Sequence, residues 1–127
     1  MKVIEIYKCL CDEQRLRILS LLREGPLCVC HIMEILGSDQ VKISKQLRYM
    51  KELGIIEGER HAQWIVYRLA ETDNPILEEN LKCLQDCASE HLSFDADAKL
   101  RAEVISRLEV NQPACAAAIL PSLQETP

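Results

Sequence analysis

The sequence predicts a mainly α-helical fold with one small β-hairpin. Two observations carry this. Apolar residues recur at helical spacing from Val3 to Leu53 and again from Leu77 to Leu108, whereas Ile55 to Leu69 alternates with a period of two. Glycines stand where the periodic stretches break, at Gly25-Pro26, Gly37 and Gly54.

The elements follow in order. Val3, Ile6, Tyr7 and Leu10 define a first helix from Lys2 to Cys11. Asp12 suits the N-cap of a second helix through Arg23, with Leu16, Leu19 and Leu22 on one side. A short helix from about Val29 to Leu36 closes at Gly37. Ser38 or Asp39 then caps a longer helix from Gln40 to Leu53. Ile55 to Arg60 and Gln63 to Leu69 read as strands joined by a tight turn at His61-Ala62. Asn74-Pro75 opens a helix to about His91, with Leu77, Leu81, Leu84 and Ala88 on one stripe. Asp97 to Val110 forms a last amphipathic helix. Prolines and alanines after Asn111 suggest a disordered tail. The organisation is therefore a core domain over residues 1–92, an additional C-terminal helix over 93–110 and a tail over 111–127.

Two helices joined by a short Gly-containing turn and followed by a hairpin make a winged helix-turn-helix. Ile43, Leu47 and Met50 would face the core. Gln40, Lys42, Ser44, Lys45, Gln46 and Arg48 are left outside, and long amides and cations there suit base edges and phosphates. Arg60, His61 and Gln63 at the wing tip suit the backbone or the minor groove. Any one of these side chains also fits a solvated face, but the turn, helix, hairpin and basic tip together fit it less well. The expected partner is double-stranded DNA, bound by a homodimer joined through its terminal helices.

The net charge of −5 looks unsuited to DNA until the chain is divided. Residues 1–68 carry 11 Lys and Arg against 9 Asp and Glu, whereas residues 69–127 carry 4 against 11. A mildly basic front and an acidic back present one face to a polyanion. No nucleotide-binding loop, catalytic triad pattern or carboxylate pair points to an enzyme or an organic cofactor. Nor does any apolar run approach the roughly 18 residues of a membrane span, so the expected location is the cytoplasm.

Thiols in that compartment stay reduced, and the odd count of seven cysteines argues against a disulfide framework. Metal or redox chemistry competes here with simple burial. Cys28 and Cys30 lie at the start of the short helix before the turn, where the helix N-terminus should favour the thiolate. Residues two apart do not face each other on a regular helix, so sharing one ion would distort that first turn. Ligation could thereby shift the DNA-reading helix. Cys83 and Cys87, at i and i+4, could chelate an ion without distortion or simply pack at the dimer surface. Of Cys9 and Cys11, at least one should be buried. Cys115 stands alone, and His31, Met33 and His91 are weaker ligand candidates, an exposed His31 being the commoner outcome.

With Asp12-Glu13-Gln14-Arg15-Leu16-Arg17-Ile18-Leu19, Leu27-Cys28-Val29-Cys30-His31-Ile32, Ser44-Lys45-Gln46-Leu47 and Trp64-Ile65-Val66-Tyr67-Arg68-Leu69, the chain resembles the ArsR/SmtB family of winged-helix metal-responsive repressors. The match runs from about residue 3 to 91. The Leu-Cys-Val-Cys run resembles the thiolate site of the arsenite and antimonite branch, and also that of the cadmium and lead branch. The resemblance implies an operator-bound dimer released by As(III) or Sb(III), derepressing resistance genes. Some members carry a third thiol where Met33 stands here. The third thiolate is therefore open among Cys83, Cys87, Cys115, a partner's thiol and a small-molecule thiol. A thiol redox switch and a Cd, Pb or Zn sensor on the same fold remain the alternatives.

Overall fold

The computed structural model describes residues 2–71, 74–87, 92–112 and Cys115. Helix α1 (Val3–Leu10) leads into α2 (Glu13–Glu24), whose N-cap Asp12 accepts from the Arg15 backbone N–H at 3.0 Å. Strand β1 (Leu27–Cys28) runs directly into α3 (Val29–Leu36). That helix ends at Gly37, whose φ of 63° is a left-handed stop at no steric cost. Asp39 caps α4 (Gln40–Glu52) by accepting from the Lys42 N–H at 2.9 Å. Strands β2 (Ile56–His61) and β3 (Trp64–Leu69) form the hairpin. Helices α5 (Pro75–Cys87) and α6 (Leu92–Asn111) follow. Among the described residues, no helix is long and apolar enough to cross a membrane.

The core is aliphatic. Ile18, Leu19, Leu27, Ile32, Ile43, Leu47 and Met50 are fully buried where α2, α3 and α4 meet. Val66 and Ile56 extend this core beneath the sheet, and Leu77 and Leu81 anchor α5. The outward stripe of α4 is as the periodicity predicts, with Ile43, Leu47 and Met50 inside.

The structure differs from expectation in three places. The hairpin pairs His61 with Trp64, so the tip is Ala62-Gln63, one residue later than predicted. Ala62 takes φ 54°, the left-handed conformation such a tight tip demands. The sheet also has a third strand, in the order β1-β3-β2, because Leu27 pairs with Tyr67 and Cys28 with Val66. Finally, α6 begins five residues before Asp97. That aspartate lies inside the helix, 1% exposed, and takes two bonds from the Arg17 guanidinium at 2.8 and 2.9 Å. The pairing neutralises a charge that would otherwise bar it from the interior. The expected end of the preceding helix, with Ala88 and His91, lies outside the described residues. So does the expected tail except for Asn111, Gln112 and Cys115.

Candidate thiol centre and nucleic-acid interface

Three residues of α2 and its cap hold the helix-turn-helix in place. Gln14 Nε2 donates to Ser38 Oγ in the turn at 3.1 Å. Arg15 Nη1 donates to Gln46 Oε1 of α4 at 3.0 Å, and Gln46 Nε2 donates back to Asp12 Oδ2 at 3.3 Å. Arg15 also reaches the carbonyls of Lys8 and Cys9 at the end of α1, at 3.0 and 2.8 Å, and stacks 4.7 Å from the Tyr49 ring centroid. One guanidinium thus satisfies orphan carbonyls of one helix and fixes the azimuth of another.

The exposed face of α4 presents Gln40, Lys42, Lys45 and Arg48. Ser44 is half-buried, and Gln46 is half-buried with its amide engaged inside the protein. Of the predicted α4 contacts, Gln46 is therefore placed as a brace between α2 and α4. At the wing, Arg60 and Gln63 are exposed, and His61 is half-buried with Nε2 3.7 Å from the Glu59 carboxylate. Arg68 bridges Glu57 and Glu59 on the outer hairpin face, holding the Glu59 carboxyl below its ordinary range.

Cys28 closes β1 and is the N-cap of α3, in extended conformation at φ −82° and ψ 161°. The extended cap, and not a distorted helical turn, separates it from Cys30. Cys28 is 1% exposed while Cys30 faces solvent. The Cys28 backbone N–H donates to His31 Nδ1 at 3.2 Å, the reciprocal half of a capping box built with an imidazole. His31 is buried, against the expectation of an exposed ring, and its Nε2 lies 3.6 Å from Cys115 Sγ. The ligand atoms of Cys28, His31 and Cys115 all lie within 4.8 Å of one another. Burial pushes the thiols of Cys28, Cys30 and Cys115 upward, the first most strongly. Desolvation thus outweighs the helix terminus, which reverses the expected preference for thiolate. Burial likewise lowers the His31 pKa, so the ring is neutral near pH 7.

The remaining thiols are dispersed. Cys9 is buried and Cys11 exposed, Cys83 is exposed on α5, and the Cys87 side chain lies outside the described residues. Spacing alone did not single out Cys115, nor did it place His31 in the interior. The signal available for Cys115 was its setting in an Ala-rich run, which can pack as readily as it can stay solvated.

Helix α6 roofs this centre. A cavity of about 230 Å³ opens between α3 and α6, with Cys30, His31 and Leu108 in its wall. The Glu34–Arg107 ion pair spans it. Midway along α6, Arg101 is packed so closely on Gly25 that a Cβ there would meet Nη2 at 2.7 Å.

The motif describing bacterial regulatory proteins of the arsR family matches residues 12–57, from the α2 cap to the start of the wing. The arsenic resistance transcriptional regulator ArsR1 of Pseudomonas putida is 40% identical over 92 residues, which cover 72% of this chain and 72% of that protein. The chain belongs to the ArsR family. Members of this family are DNA-binding transcriptional regulators, and this chain is one of them and not an enzyme. The arsenical resistance operon repressor of Escherichia coli, another ArsR-family relative, is 41% identical over 68 residues, covering 53% of this chain and 58% of that one. A solution structure of a homodimeric winged helix-turn-helix DNA-binding domain from Mycobacterium bovis superimposes with a TM-score of 0.58 at 31% identity, covering 71% of this chain and 81% of that one.

Proposed function

We propose that this chain is a homodimeric repressor that releases its operator when As(III) or Sb(III) is bound by the thiolates of Cys28 and Cys30, derepressing metalloid-resistance genes in the cytoplasm. The observation that carries the reading is the double membership of Cys28. It pairs with Val66 of the wing strand and caps the first helix of the DNA-reading pair. Ligation at this one residue pulls on the wing strand and on α3, the helix that leads into the DNA-reading helix. A soft ion selects thiols over the surrounding oxygen donors. Coupling of the usual size, about 1–3 kcal/mol, is enough to change operator affinity roughly 5- to 150-fold. Exposed Val3, Ile4 and Tyr7 on α1 supply an apolar stripe for the partner protomer.

The test is fluorescence anisotropy of a labelled operator. Cys28→Ser and Cys30→Ser proteins are expected to bind operator as the wild type does and to stay bound when arsenite is added. Normal release from both would refute the site. A second reading, a Zn(II) or Cd(II) sensor, is favoured by the grouping of Cys28, His31 and Cys115, since two sulfurs and an imidazole suit those ions. Release by zinc or cadmium at concentrations where arsenite is inert would decide for it.

A further inference from the structure

We propose that Cys115 is the third thiolate of the metalloid site and that His31 is a positioning residue holding it there, a proposal that rests on the inducer reading given above. The argument begins with the imidazole. Its Nδ1 faces the Cys28 N–H at 3.2 Å and must be an acceptor. A neutral ring that accepts at one nitrogen carries its proton on the other. Nε2 is therefore a donor, and it points at Cys115 Sγ from 3.6 Å. A nitrogen that carries a proton offers no lone pair to an ion. His31 can ligate through Nε2 only if the helix cap at Cys28 is broken.

The grouping of two sulfurs and one imidazole thus resolves into two thiols and a donor that orients one of them. Cys30 supplies the further sulfur. It lines the cavity between α3 and α6 beside His31. Cys28 and Cys115 are already close enough to share one ion, and with Cys30 they would give the three sulfurs that a trigonal As(III) or Sb(III) centre takes. The cavity of about 230 Å³ reaches Cys30 and His31 from outside.

The exchange balances without an oxidant. Arsenous acid loses three hydroxides and gains three As–S bonds, the three thiol protons leave with the hydroxides as water, and arsenic stays at +3. Neutral thiols are the form this exchange consumes.

X-ray absorption at the arsenic edge on the reduced full chain with arsenite tests the assignment. Wild type is expected to show three sulfurs and no nitrogen. Cys115→Ser and Cys115→Ala are both expected to show two sulfurs and one oxygen, with arsenite affinity lower by about tenfold or more. Three sulfurs retained in either variant overturn the assignment of Cys115. If Cys28→Ser and Cys30→Ser retain three sulfurs as well, the inducer reading itself falls; if only these two lose sulfur, that reading stands and the role of Cys115 does not. For His31, a change to Leu is expected to weaken arsenite binding about 10- to 100-fold, with partial recovery in His31→Gln, whose amide can accept and donate. A Leu variant that binds arsenite as wild type does removes the positioning role.

Discussion

The guanidinium of Arg15 donates to the side-chain oxygen of Gln46 at 3.0 Å and so sets α4 against α2. The same group caps the end of α1 through two carbonyls. Arg15→Ala is expected to lower stability by about 3 kcal/mol, because hydrogen bonds from a charged donor are worth roughly 1.5–3 kcal/mol and are not additive. Urea unfolding should show a lower midpoint at unchanged slope, and operator affinity should fall with it. Lysine at this position is expected to recover little, since a point charge cannot replace the planar fork.

Arg17 and Asp97 form the corresponding tie between α2 and α6. Arg17→Ala strands a carboxylate that is 1% exposed. A loss of about 3 kcal/mol is expected, close to that of breaking other buried pairs. Asp97→Asn removes the charge together with the attraction and should cost less. Equal losses in urea titrations of the two variants would contradict this account of the pair.

Operator binding should separate the surface cations from the internal amide. Lys42→Ala and Lys45→Ala each remove a cation from the exposed face of α4. Each is expected to reduce the slope of log affinity against log salt by about 0.9 while leaving the unfolding midpoint unchanged. Gln46→Ala is expected to do the reverse, lowering the midpoint with no change in salt slope. A Gln46 variant of wild-type stability with altered base preference would return that residue to the reading surface.

Alkaline pH should destabilise the protein through its buried thiols. Burial raises the pKa of Cys9 above its ordinary value, with Arg15 opposing. The folded state therefore retains the proton longer than the unfolded chain does. Stability from this preference is complete below the unfolded thiol value of about 8.5 and is lost as pH rises through the folded value. Thermal midpoints measured from pH 7 upward should decline beyond about 8.5, and less steeply in Cys9→Ala.

Much of this architecture is legible locally. The caps at Asp12 and Asp39, the stop at Gly37 and the inward stripe Ile43, Leu47 and Met50 each follow from a few neighbouring residues. Strand β1 was not legible, because two residues have no period and become a strand only when Val66 and Tyr67 arrive beside them. The start of α6 was missed for a related reason. Asp97 reads as a helix opener until Arg17, eighty positions earlier in the chain, neutralises it.

The thiol centre divides in the same way. Sequence alone determined the reading head, the wing and the cysteine pair before the turn, since periodicity, caps and spacing are short-range properties carried by contiguous residues. Tertiary structure decided which cysteines meet. Cys28 and Cys115 are brought beside His31 by the packing of α6 on α2 and α3, a long-range burial that no local pattern encodes. It decided their protonation as well. A helix start favours the thiolate, but the water excluded by that packing costs the charged form more, which raises the pKa values of Cys28 and Cys115 beside the imidazole of His31.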